Sequence, residues 1–272
     1  MPELPEVESV RQGLERLIVG QRISKVTVLW DNIIKDPKVD DFKQKLIGED
    51  ILSIKRRGKF LLFETTHYML ISHLRMEGKY RLENAEEPLT KHTHVIFSLS
   101  SGKELRYLDV RKFGKMSLVE KDKAYDHPSL KTLGPEPNEE LTVKHLTQFL
   151  KNRKRTIKAC LLDQKMVAGV GNIYADEILF ASRIHPERQG HTLSLREIKK
   201  LKESIVSIME QAVLAGGTTI RTYANAFGDS GTFQNKLLVY GKAGEACPRC
   251  QTFILKTKVA QRGTHYCPAC QK

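Results

Sequence analysis

The chain has 272 residues, of which 40% are hydrophobic and 28% charged, with a formal net charge of +13 and a pI near 9.5. This length favours two domains over a single core, and no run approaches the roughly 20 apolar residues of a membrane span. The N-terminus lacks a basic-then-apolar secretory pattern, so a cytoplasmic location is expected. The positive charge favours a polyanionic partner, either nucleic acid or an anionic membrane surface.

The chain opens "MPELPEVESV", with Pro2, Glu3 and Glu6 ahead of a helical apolar pattern at Val7, Val10, Leu14, Leu17 and Ile18 that Gly20 can end. Read alone, this is a helix start, since proline suits the first turn and carboxylates favour the positive end of the dipole. Eight short β-branched and aromatic segments follow between "VTVLW" and "KMSLVE", which predicts a β-sandwich or barrel. Within this region Met76 stands beside Glu77-Gly78, and Arg111 and Phe113 flank Lys112 just before Gly114. An apolar wedge with a guanidinium could fill a gap in a base stack, and each residue could equally be a packing residue or a solvated charge. Lys59 and His73 could contact phosphates or lie on a polar strand face.

A proline-rich polar stretch, "KAYDHPSLKTLGPEPNEE", predicts the hinge, and helical patterns follow it. In "MVAGVGNIYADEI", Gly169 and Gly171 bracket a turn and Asn172 is expected as the N-cap of the next helix. Its bare amides could grip a phosphate, or the glycines could serve only the turn. Cys160 is expected to be a small buried apolar residue. The polar stretch "TTIRTYANAFGDSGTFQNK" has the length of a lid or binding loop.

Four of the five cysteines lie in the last 26 residues as Cys247-Pro-Arg-Cys250 and Cys267-Pro-Ala-Cys270, sixteen residues apart. Two such pairs in a chain without a secretory signal predict one structural Zn²⁺ with four thiolate ligands. The interval between them reads as strand, glycine-containing turn and strand, with Lys256, Lys258 and Arg262 on or near the turn.

Several segments in order and spacing, "MPELPEVESVR", "KRRGKFLLF", "SHLRMEGKY", "LDVRKFG", "AGVGNIYADEILF", "GGTTIRTY" and "RGTHYCPACQ", resemble the formamidopyrimidine-DNA glycosylases over essentially the whole chain. The related endonuclease VIII branch usually reads Pro-Glu-Gly-Pro-Glu at the N-terminus, where this chain has Leu4. The resemblance implies an α+β multidomain fold: an N-terminal helix plus an eight-stranded β-sandwich, then a helical domain with a helix–two-turn–helix and a zinc β-hairpin finger. Residues 1–125 would be the catalytic domain, 126–140 a linker, 141–236 the helical domain with its lesion-recognition loop, and 237–272 the four-cysteine finger. The implied protein is a monomeric bacterial base-excision-repair enzyme acting on damaged double-stranded DNA.

The resemblance also assigns roles. The initiator methionine is removed and the nitrogen of Pro2 is the nucleophile, with Glu3 as general acid and Glu6 in support. Lys59 and Arg262 join the catalytic set near the target phosphates. His73, Asn172, Tyr240 and Lys256 grip the DNA backbone, while Met76, Arg111 and Phe113 fill the hole left by the extruded nucleotide, Arg111 bonding the orphaned cytosine. Thr218, Thr219, Ile220, Arg221, Thr222 and Tyr223 close over the flipped base. At the hairpin tip Ala260-Gln261 replaces the two glycines common in relatives. Two other readings stand beside this one: an endonuclease VIII-type enzyme for oxidised pyrimidines, and a zinc-dependent DNA-binding protein without catalysis.

Overall fold

In the computed structural model, which describes residues 1–218 and 231–272, the opening pattern becomes helix α1 (Leu4–Ile18). Glu3 caps it in extended conformation, and Glu6 accepts the Glu3 amide hydrogen at 2.8 Å as half of a capping box. Val7, Val10, Leu14 and Ile18 are buried, each contributing roughly 1.5–3 kcal/mol of apolar burial.

The expected strands form as β1 (Ile23–Val28), β3 (Ile51–Arg57), β4 (Phe60–Thr65), β5 (Tyr68–His73), β6 (Lys79–Asn84), β7 (Thr93–Leu99), β8 (Lys103–Leu108) and β9 (Lys115–Glu120). Between these strands two elements were not legible in the pattern: α2 (Val39–Leu46) and a ninth strand, β2 (Ile34–Asp36), parallel to β9 and too short to show alternation. One sheet has the order β1-β7-β8-β6 and the other β2-β9-β5-β4-β3, antiparallel apart from the β2–β9 pair. Their inner faces form one core with α1 and α2, built around Phe42, Leu61, Phe97 and Tyr107.

Helix α1 runs antiparallel to β3. The Gly20 amide donates to Ile51 O, Glu15 accepts the Ile54 amide at 3.2 Å, and Arg56 donates to Glu8 at 3.0 Å. This register sends Pro2–Glu6 toward the β3–β4 turn at Gly58-Lys59. A short helix, α3 (Pro128–Lys131), ends the first compact unit, Met1–Lys131.

The second unit holds Thr132–Thr218 and Thr232–Lys272. Thr142 caps α4 (Val143–Leu150) and Thr156 caps α5 (Ile157–Leu161), each hydroxyl accepting an amide of the first turn. Helix α6 (Asn172–Ser182) is buried along most of its surface. Ser194 and Glu197 form a capping box on α7 (Leu195–Leu214), whose buried residues Ile198, Leu201, Ile205, Met209 and Ala212 follow helical spacing. Strands β10 (Leu255–Val259) and β11 (Arg262–Tyr266) form the terminal hairpin. Among the described residues no helix is long and apolar enough to cross a membrane.

Candidate nucleic-acid interface and metal centre

In the first unit Pro2, Glu3, Glu6, Lys59 and His73 are all buried. His73 pairs with Phe60 across β4 and β5 and meets its ring edge-on at 4.5 Å, so it lies next to the Lys59 turn. Burial, with the charges of Arg75, Lys59 and Lys115, pushes the His73 pKa down to about 3. His73 is therefore neutral near pH 7, and its Nδ1 accepts the Arg75 amide hydrogen at 2.9 Å. That leaves Nε2 as the ring's donor, a neutral hydrogen-bonding group rather than a cation.

Met76 lies on the β5–β6 turn, half-buried; Arg111 and Phe113 lie exposed on the β8–β9 turn, the guanidinium 4.7 Å from the phenyl centroid. Asp109, which sequence reasoning missed, organises this second turn. Its buried carboxylate accepts the amides of Arg111 (2.9 Å), Phe113 (2.9 Å) and Gly114 (2.7 Å), and its carbonyl meets His94 Nε2 at 2.7 Å. An aspartate followed within five residues by glycine was the available signal, because Asp routinely bonds nearby backbone amides.

The second unit collects Asn172, Tyr240 and the hairpin around α6. Asn172 is the first helical residue, one position inside the expected N-cap, which is Gly171. Its side chain is used elsewhere: Nδ2 donates to Gly263 O at 3.0 Å, tying the helix start to the residue after Arg262. The same carbonyl accepts Lys158 Nζ at 3.0 Å, and Lys158, fully buried, also reaches Asp176 at 2.6 Å and Thr264 Oγ1 at 2.8 Å. Asp176 accepts the His265 amide at 2.8 Å. Glu177 accepts three amides, those of Leu238, Val239 and Tyr240, at 2.8–2.9 Å; burial raises its pKa against their opposing effect. Lys158, Asp176 and Glu177 were also missed, although charges inside the apolar runs "TIKACLL" and "ADEILF" marked them. Cys160 is fully buried.

The hairpin turn differs from the expected glycine turn. Val259 pairs with Arg262, so the turn residues are Ala260 (φ 49°) and Gln261 (φ 60°), both left-handed, while Gly263 lies in β11 opposite Lys258. A two-residue turn matching the strand twist requires this geometry even without glycine. The pleat separates the basic residues: Lys256 and Lys258 share one face, and Arg262 shares the other with Val259. Arg262, Lys256 and Lys258 are exposed. Thr218 is buried, whereas Thr219, Ile220, Arg221, Thr222 and Tyr223 lie outside the described residues.

The four cysteine sulfurs lie within 4.8 Å of one another, with Cys250–Cys267 at 3.5 Å and Cys247–Cys270 at 3.9 Å. A tetrahedral ion with Zn–S bonds of ~2.3 Å needs sulfurs about 3.8 Å apart, so the residues present fit Zn²⁺. Backbone amides of Arg249 and Cys270 donate to the sulfurs of Cys247 and Cys267 at 3.4 Å, which favours thiolates. Phe180 on α6 packs with Val239, Cys247, Ile254 and Cys267, and Arg249 stacks 4.1 Å above the Phe180 ring centroid.

Three family models match in chain order. They are the formamidopyrimidine-DNA glycosylase N-terminal domain over residues 1–116, its H2TH domain over 133–224, and a zinc finger found in FPG and IleRS over 244–272. The chain is 53% identical to a formamidopyrimidine-DNA glycosylase of Enterococcus faecalis, covering all of this chain and 98% of that one. It is 51% identical to one from Bacillus cereus, covering all of this chain and 99% of the relative. Among solved structures it is similar to Lactococcus lactis Fpg in complex with abasic-site DNA, with a TM-score of 0.92 and 44% identity over 99% of each chain. It is also similar to the wild-type Lactococcus lactis enzyme with N7-benzyl-Fapy-dG DNA, with a TM-score of 0.93 and 44% identity over both whole chains. A helix-capped β-sandwich, an α6-centred clasp and a four-thiolate hairpin, matched end to end by these relatives, place the chain in the formamidopyrimidine-DNA glycosylase family.

Proposed function

We propose that this chain is a bifunctional DNA glycosylase and abasic-site lyase of cytoplasmic base-excision repair, removing oxidised purines such as 8-oxoguanine and formamidopyrimidines from duplex DNA. One observation carries the reading: α1 starts directly after Pro2-Glu3, with the Glu6 carboxylate on the Glu3 amide, at the end of the helix whose register leads toward the turn holding Lys59. Solved relatives of the same length are bound to abasic-site and Fapy-dG DNA.

Removal of Met1 makes the Pro2 nitrogen a secondary amine at a helix N-terminus. An α-amino group titrates near pH 8, so about a tenth is neutral at pH 7, and the helix end and nearby cations raise that fraction. The nitrogen lone pair attacks the sugar C1′, the bond from C1′ to the base nitrogen breaks, and the C1′–O4′ bond then opens; the amine's proton and one from Glu3 go to the departing base and the ring oxygen. The resulting iminium withdraws electrons from C2′, whose proton leaves as the 3′-phosphate departs; a second elimination releases the 5′-phosphate. Glu6 orients Glu3 through its amide. Lys59 and Arg262 neutralise phosphates, and His73, Asn172, Tyr240 and Lys256 hold the backbone. Met76, Arg111 and Phe113 replace the extruded nucleotide, whose unstacking costs a few kcal/mol. The loop from Thr218 to Tyr223 covers the flipped base. Zn²⁺ serves structure alone, closing the hairpin that presents Arg262.

Borohydride reduction on an 8-oxoguanine duplex, followed by peptide mapping, tests the chemistry. The expected adduct lies on a peptide beginning at Pro2. DNA affinity without an adduct would leave a binding protein, and preferential excision of thymine glycol would move the chain to the endonuclease VIII branch.

A further inference from the structure

The two turns that carry the gap-filling residues lie against each other. Strand β5 leaves one sheet and enters β6 of the other through residues 74–78; β8 returns to β9 through 109–114. His73 pairs with Lys115 at one end of this double crossing and Lys79 with Leu108 at the other. Each crossing holds one left-handed residue other than glycine, Arg75 (φ 55°) and Lys112 (φ 57°). An internal acceptor fixes each: His73 Nδ1 for the first, the Asp109 carboxylate for the second.

Beneath both lies Tyr107, fully buried on β8. A Cβ built on Gly78 would stand 2.1 Å from the Tyr107 hydroxyl oxygen, and one on Gly114 would stand 1.8 Å from it. Neither glycine has a left-handed backbone, so it is the space that excludes a side chain there. The Tyr107 ring meets Tyr80 at 5.1 Å, and Tyr80 donates to Ser72 at 2.7 Å, joining the two sheets under the crossing.

We propose that the Tyr107 hydroxyl, wedged between Gly78 and Gly114, locks the Met76 turn and the Arg111–Phe113 turn into one rigid element, making Tyr107 a positioning residue for reading the base opposite the lesion. Displacing one turn then displaces the other, and the substitution that alters discrimination by Arg111 can lie over thirty residues away in sequence. The proposal rests on the glycosylase reading above.

The test compares excision of 8-oxoguanine opposite cytosine and opposite adenine by wild type, Tyr107→Phe, Gly78→Ala, Gly114→Ala and the Gly114→Ala/Tyr107→Phe pair. Neighbours in contact are coupled, so each single substitution is expected to lower the cytosine-over-adenine ratio about twofold or more. In the pair, removing the phenolic oxygen relieves the closest clash and recovers part of the ratio lost in Gly114→Ala. Uniform slowing opposite both bases, or a pair as impaired as the two losses combined, overturns the proposal. Should an alanine variant fail to fold by circular dichroism, Tyr107→Phe, which keeps the ring, decides on the ratio alone. Borohydride trapping of wild type on the same duplexes reports separately on the glycosylase reading, which fails only if no Pro2 adduct forms.

Discussion

Replacing Lys158 with methionine removes the ammonium that links α5, α6 and β11 while keeping most of the side-chain volume. The buried Nζ has three partners: Asp176 at 2.6 Å, Thr264 Oγ1 at 2.8 Å and Gly263 O at 3.0 Å. Methionine satisfies none of them and leaves the Asp176 carboxylate buried without its cation. Breaking one side of a buried ion pair costs about 3–5 kcal/mol, whereas neutralising both sides costs far less. Asp176 retains the His265 amide, which favours the lower end of that range. The single tryptophan, Trp30, lies in the first unit, so its fluorescence does not follow this change. Hydrogen exchange of the β10–β11 amides does. At 1.4 kcal/mol per decade, a loss of 3 kcal/mol speeds exchange by roughly a hundredfold. Lys158→Met with Asp176→Asn should recover part of that loss, since the carboxylate no longer needs a counter-charge. Exchange changed by less than about fivefold in Lys158→Met, or strictly additive losses in the pair, would refute the view that this ion pair seats the hairpin.

Pro2→Gly should slow excision and adduct formation while leaving affinity for lesion DNA largely intact in a gel-shift assay, since the second unit's contacts remain. Cys267→Ser should release Zn²⁺ to a chromogenic chelator and abolish tight DNA binding, with the Trp30 unfolding transition of the first unit little moved. Asn and Gly at positions 260 and 261 suit left-handed backbone better than Ala and Gln, so Ala260→Asn/Gln261→Gly should stabilise the hairpin by about 1 kcal/mol, read as slower exchange. His73 binds a proton less readily folded (about 3) than at its ordinary value of 6.5. Its contribution to stability is therefore full above pH 6.5 and lost as pH falls toward 3. His73→Asn, which keeps an acceptor for the Arg75 amide, should flatten that part of a denaturation-versus-pH curve.

Periodic features were legible from sequence. The α1 stripe, the eight strands and the paired cysteines each repeat a spacing set by helix pitch, pleat or a metal tetrahedron. What escaped was non-periodic. Strand β2 has three residues, too few to alternate, and α2 has two buried residues, Phe42 and Leu46, on a charged background. Asn172 suits an N-cap by type, yet the hairpin carbonyl from Gly263, distant in the chain, competes for its amide. The turn at Ala260-Gln261 is set by strand register rather than by residue preference. Asp109, Lys158, Asp176 and Glu177 act through backbone groups that sequence does not display. Pro2, Glu3 and Lys59, each buried, were singled out only through family motifs, because nothing in "MPELPE" alone separates a nucleophile from a helix start.

Helix α6 works as a ruler. Asn172, Asp176, Glu177 and Phe180 grip the hairpin edge, β11, the 238–240 segment and the cysteine core at fixed intervals along one rod. With 3.6 residues per turn, a single residue inserted after Asn172 would swing the later grips by about 100° relative to the first. All of them would then miss together, whereas the loops flanking this rod can lengthen at little cost. The unit's tolerance for insertions is thus confined to its connections, and the length of one eleven-residue helix is its fixed measure.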